Sequence, residues 1–133
     1  MLLLDTHVLI WVVEGNKRLG RRVARLTDQA LAGDRLVVAS ISFWEIAMLA
    51  HRGRLVVQPS VEQWRLRVLS LGVKEIPLTG DMAIEAAHVP DLHGDPADRI
   101  IVATAVATGA TVVTADDRIL RWSGALERHD ARR

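Results

Sequence analysis

HGDPADRIIVATAVATGATVVTADDRIL, residues His93–Leu120, joins two apolar runs of different period, and their alternation sets the fold class. Pro96 opens the first run and Gly109 closes it, the punctuation of a helix over Pro96–Thr108. After Arg99 this helix has almost no polar face, so it must lie against a sheet or another helix. The second run, Thr111–Thr114, is short and rich in β-branched residues, as a buried strand is. The same alternation extends outward. Leu2–Leu4, Leu36–Ala39 and Val73–Ile76 read as strands, and helical patterns cover Thr6–Val13, Gly20–Leu31, Ser42–Arg52, Val61–Leu71 and Asp81–His88. Strands separated by helices imply an α/β fold: a mainly parallel sheet of four to five strands with helices on both faces, in three layers.

Composition narrows the class further. The 133 residues suit one domain spanning 1–133, and no repeat or linker divides them. Without cysteine there is neither a disulfide framework nor a thiolate metal site, which fits the cytoplasm. Asp5 and His7 interrupt the apolar start MLLLDTHVLIWVV well short of a membrane span, and it lacks a basic leader, so it is expected to be part of the fold. The net charge is +1, so no strong field announces nucleic acid, although 15 of the 17 cations are arginine, the side chain suited to bidentate phosphate contact. Only five residues are aromatic, so platforms for stacking bases are not expected, and Trp11, Trp44, Trp64 and Trp122 are assigned to core or interface.

The chemistry lies in carboxylates placed where strands hand over to helices. Asp5 follows the first strand, Glu45 lies in the first turn of the helix after the second, Asp98 opens the buried helix, and Asp116 follows the last strand. In open parallel sheets the C-terminal strand ends form the crevice where ligands bind. Each residue also has a local explanation. Ser42–Glu45 fits a capping box, Asp95 fits an N-cap before Pro96 with Asp98 favoured by the helix dipole, and Asp5 and Asp116 suit the starts of short helices. Capping does not explain their recurrence on one edge. Two carboxylates about 5 Å apart repel by roughly 3 kcal/mol at an effective dielectric near 20, so a cluster must take up protons or bind a cation. An all-oxygen set selects magnesium or manganese, ions that activate water and polarise a phosphate ester without a serine or cysteine nucleophile.

LLLDTHVLIW (2–11), SISFWEIA (40–47), HGDPADRIIVATA (93–105, after HVPDL) and TVVTADDRIL (111–120) together resemble the PIN-domain ribonucleases, in particular the VapC-type toxins of bacterial toxin–antitoxin pairs. The match spans Met1 to about Leu120 in the family order. The resemblance implies a Mg2+- or Mn2+-dependent endoribonuclease with Asp5, Glu45, Asp98 and Asp116 as its metal-binding and catalytic carboxylates. It also implies support from Thr6, Thr114 and Asp95, a homodimer, and a small antitoxin whose C-terminal segment covers the site. The chain departs from the family in two places: Ala97 stands where relatives often carry a bulky aromatic, and Leu49 where many carry lysine.

For RNA contact the candidates are Arg18, Arg21, Arg22, Arg52, Arg54, Arg99 and Arg118, with Arg99 and Arg118 placed closest to the acidic motifs. His7 and His93 flank those motifs and are assigned packing roles. Two other readings compete: a phosphatase that forms an aspartyl-phosphate on Asp5, and a non-catalytic dimeric interaction domain whose carboxylates only cap helices. The phosphatase pattern wants a second aspartate two residues on, where this chain has His7.

Overall fold

The computed structural model describes all 133 residues. Five strands form one sheet, β1 (Leu2–Leu4), β2 (Leu36–Ala39), β3 (Lys74–Ile76), β4 (Thr111–Thr114) and β5 (Arg128–Asp130), in the order β3-β2-β1-β4-β5. Every pairing is parallel, with Leu4 opposite Val38 on one side and Val113 on the other. Seven helices connect them: α1 (Thr6–Glu14), α2 (Arg21–Ala32), α3 (Ile41–His51), α4 (Val61–Ser70), α5 (Gly80–His88), α6 (Pro96–Thr108) and α7 (Asp117–Leu120).

Alternation along the central strands divides the core. Leu4, Val38 and Val113 pack with Val8, Leu9, Ile46 and Trp64 under α1 to α4, whereas Leu3, Val37 and Val112 face Ile101, Val102 and Ile119 on the other side. Both faces of the sheet are thereby covered, which is why its strands read as continuous apolar runs. No helix is long and apolar enough to cross a membrane.

β5 has no counterpart among the strands expected from sequence. Its residues Arg128, His129 and Asp130 are polar and half-buried on the sheet edge, and Ala131 just beyond supplies the fully buried contact. The chain leaves β1 toward β2 and β3 and returns on the opposite side as β4 and β5, so strand order switches between β1 and β4. A crevice opens at the C-terminal ends of strands around such a switch. Asp5 leaves β1 there, with its N–H on Val113 O at 3.0 Å.

Candidate active site

A cleft of about 190 Å³ at this switch point is lined by Asp5, Thr6, His7, Ile10, Glu45, Leu49, Asp95, Asp98, Asp116 and Arg118. Five carboxylates from the starts of α1, α6 and α7 and from the body of α3 thus face one arginine. Asp5 caps α1, accepting from Thr6 N at 2.8 Å, and its other oxygen accepts from Thr114 Oγ1 at 2.7 Å. Both Asp5 oxygens are held, and the residue is 2% exposed. Thr114 Oγ1 also accepts from Asp116 N at 3.0 Å, so one buried hydroxyl sets two of the carboxylates.

Asp95 is the N-cap of α6, accepting from Asp98 N, and Asp116 is the N-cap of α7, accepting from Arg118 N. Capping and membership of the cleft coexist, because three helices begin at its wall and each begins on an aspartate. Helix N-termini carry partial positive charge that tempers the repulsion.

Glu45 corrects the sequence reading. α3 starts at Ile41, one residue earlier than expected, and Ser40 is its N-cap, so Ser42 and Glu45 form no capping box and Glu45 lies beyond the first turn. Ser42 is fully buried, 2.9 Å from Thr6 Oγ1, and the Thr6 hydroxyl donates to Glu45 Oε1 at 2.5 Å. Glu45 Oε2 has no protein partner. Burial raises the Glu45 pKa, the Thr6 hydrogen bond opposes this, and the charges of Asp5 and Asp95 add to the rise.

Asp98 is also buried, with its side chain 9% exposed. Burial and the nearby charges of Asp5, Asp95 and Asp116 push its carboxyl up to about 6, against the opposing hydrogen bond from His93 Nε2 at 2.7 Å. His93, which sequence reasoning had assigned to packing, therefore touches the site. Its Nδ1 is buried without a partner. The only sequence signal was its place five residues before Asp98. His7 also belongs to the cleft: Ala115 N donates to Nε2, which puts the neutral ring's proton on Nδ1, 3.6 Å from Asp5 Oδ2.

Arg118 pairs with Asp116 at 3.0 Å and lies 3.8 Å from Asp98, with its side chain 61% exposed at the mouth. Burial raises Asp116, but the hydrogen bonds from Arg118 outweigh it and hold the carboxyl below its ordinary value.

Arg99 does not join the cleft. Its guanidinium donates to the carbonyls of Ala86, Ala87, Val89, Leu92 and His93 at 2.8–3.3 Å, using every donor it has. These bonds close the C-terminal end of α5 and fix the loop that delivers His93, so the expected phosphate contact is replaced by a structural one. Arg99→Lys is expected to destabilise the fold by about 3 kcal/mol, because an ammonium keeps the charge but cannot span five carbonyls. The urea midpoint measures this, and an unchanged midpoint would show the fork to be dispensable. The other arginines named above, Arg18, Arg21, Arg22, Arg52 and Arg54, are exposed. Trp64 and Trp122 are buried in the core, whereas Trp44 lies outside it, 50% exposed.

The donor set fits a hard divalent cation. One carboxylate oxygen each of Asp98 and Asp116 lie within 4.8 Å of each other, and Asp5 lines the same cleft. Ionised carboxylates so placed and so buried are in deficit of positive charge, with one exposed guanidinium to offset them.

The PIN-domain family profile matches residues 2–124. The chain belongs to the PIN-domain family. Ribonuclease VapC22 of Mycobacterium tuberculosis is 37% identical to this PIN domain over 118 residues, 88% of each chain. Two solved structures share its fold at 16% identity. DNA-bound VapBC from Salmonella typhimurium has a TM-score of 0.70 over 97% of this chain and 96% of that one. VapBC2 from Rickettsia felis, bound to a promoter DNA fragment, has a TM-score of 0.69 over 96% of each.

Proposed function

We infer that this chain is an endoribonuclease, the toxin of a toxin–antitoxin pair, and that it acts as one PIN-like domain over residues 1–133 with magnesium or manganese in its cleft. The observation that carries the reading is the meeting of Asp5, Glu45, Asp98 and Asp116, from four separate elements, around one opening in a PIN domain. Asp5, Asp98 and Asp116, with Glu45 beside them, would hold the ion, which supplies Lewis acidity toward water and the phosphoryl oxygens.

The chain's own residues do the positioning. Thr114 and the Thr6 N–H fix both oxygens of Asp5, and the Thr6 hydroxyl fixes one oxygen of Glu45, leaving Oε2 available to water or ion. His93 orients Asp98. Arg118, exposed at the mouth, is the group placed to meet an incoming phosphate and to neutralise charge on it. Attack by water at phosphorus with cleavage of the P–O3′ bond leaves a 5′-phosphate on one product and, with a proton taken up by the departing oxygen, a 3′-hydroxyl on the other.

By likeness to Ribonuclease VapC22 and the VapBC complexes, the substrate is RNA and the partner is an antitoxin; the family resemblance implies that its C-terminal segment covers the cleft. The same likeness implies a homodimer, and a role in RNA cleavage implies the cytoplasm. The aspartyl-phosphate alternative lacks its second aspartate two residues after Asp5, where this chain has His7. A purely capping role uses one oxygen of each aspartate and leaves the crowding of charge unexplained.

Purified protein should cut single-stranded RNA when Mg2+ or Mn2+ is added and stop when EDTA is added, and Asp5→Asn should not cut. Cleavage that persists in EDTA, or in Asp5→Asn, would contradict the metal-dependent reading.

A further inference from the structure

α3 presents two neighbouring rows of side chains. Glu45 and Leu49 face the acidic cleft; Trp44, Met48 and Arg52, spaced four apart, line a second groove of about 230 Å³. Across this groove stand Asp95, Pro96 and Ala97 at the start of α6. The two spaces share Glu45, Leu49 and Asp95, so a group seated in the groove lies directly beside the cleft.

We propose that this groove holds a nucleobase flanking the phosphodiester that is cut, stacked on Trp44, with Asp95 Oδ2 favouring a base that carries an exocyclic amino group. The proposal rests on the ribonuclease reading above and deepens it. Three features of the lining favour a flat ring with polar edges over an aliphatic side chain. Trp44 offers an indole that is half exposed, unlike the buried Trp64 and Trp122. Bases of every kind stack on such a surface. Arg52, exposed on the same face of α3, brings a cation to an otherwise acidic margin, where the phosphate attached to the base needs one. Asp95 caps α6 through Oδ1 and leaves Oδ2 without a protein partner, an acceptor for an exocyclic amino group. Ala97, 2% exposed, closes the far wall with a methyl group.

The test uses short single-stranded RNAs around a mapped cut site, with the base deleted in turn at each flanking position. For wild-type protein, removing the base that occupies the groove is expected to lower kcat/KM by roughly ten- to a hundredfold, the range of a lost base–aromatic stack. Trp44→Ala is expected to cut the intact RNA as poorly as wild type cuts the abasic one, with no further loss on the abasic RNA. Trp44→Phe should restore most of the difference. Abasic sensitivity that is the same in wild type and Trp44→Ala overturns the proposal. So does an unchanged cleavage pattern in a Trp44→Ala protein that has lost its protein partner, which would assign the groove to that partner. Wild-type protein inert toward every RNA overturns the ribonuclease reading and this proposal with it, a result distinct from a variant that merely behaves like wild type.

Discussion

Replacing Asp98 by asparagine is expected to abolish RNA cleavage and, in the same protein, to raise the melting temperature measured in EDTA. The two effects have one cause. Without a cation the Asp98 carboxyl is buried beside Asp5, Asp95 and Asp116, and its pKa stands at about 6 against an ordinary 3.8. A rise of this size means that holding the ionised form in the metal-free fold at neutral pH costs about 3 kcal/mol. Asn is neutral, nearly the same shape, and still accepts from His93, so Asp98→Asn removes that cost and the melting point should climb by several degrees, roughly the change expected for a chain of this size. Catalysis needs the charge that stability does not, and activity should fall at least about a thousandfold, roughly 4 kcal/mol in the barrier. Loss of activity with a lowered melting point would indicate that Asp98 serves the fold instead.

The second large effect is a reversal of pH dependence on adding metal. A carboxyl whose pKa is raised in the native state contributes stability that is fully present below the unfolded value, 3.8 here, and that drains away as pH rises through about 6. Metal-free protein should therefore lose about 3 kcal/mol across that interval from Asp98 alone, and Glu45, also raised by burial, acts in the same direction. Glu75 and Asp130, held low by hydrogen bonds from Arg65 and Arg132, act with the opposite sign, but their stabilisation is lost only as pH falls below the ordinary carboxyl range. With saturating Mn2+ the trend inverts, because the cation binds the ionised cluster and competes with protons for it. Below about pH 6 the apparent affinity for Mn2+ should fall about tenfold per pH unit for each proton displaced. Chemical denaturation at a series of pH values, with Mn2+ and with EDTA, measures both curves, and parallel curves would mean that metal and protons do not share a site.

Much of this arrangement is legible in the sequence, and the exceptions are physical. β1, β2, β4 and α6 follow from apolar runs bounded by proline, glycine and aspartate, and their limits agree with the structure residue for residue. β5 escapes because an edge strand of Arg128, His129 and Asp130 has neither alternation nor β-branched content, and only the neighbouring parallel β4 makes it a strand. Ser42 resembled a helix cap because a serine three residues before a glutamate is the capping pattern. Starting α3 one residue earlier turns it into a buried partner of Thr6. Arg99 was drawn toward the site by adjacency to Asp98, yet successive helical residues point about 100° apart, and that step carries the guanidinium to the α5 carbonyls. The same step separates Trp44 from Glu45 and gives α3 its second row. His93 reaches Asp98 only because Arg99 fixes the loop between α5 and α6, a contact with no local pattern to announce it.

Calorimetric titration of Mn2+ into the metal-free protein at neutral pH tests most directly whether these carboxylates act as one cation site. Wild type should show saturable binding with release of protons, and Asp5→Asn and Asp98→Asn should each abolish it although they alter different elements of the fold. Equal Mn2+ binding by wild type and both variants would contradict the shared site.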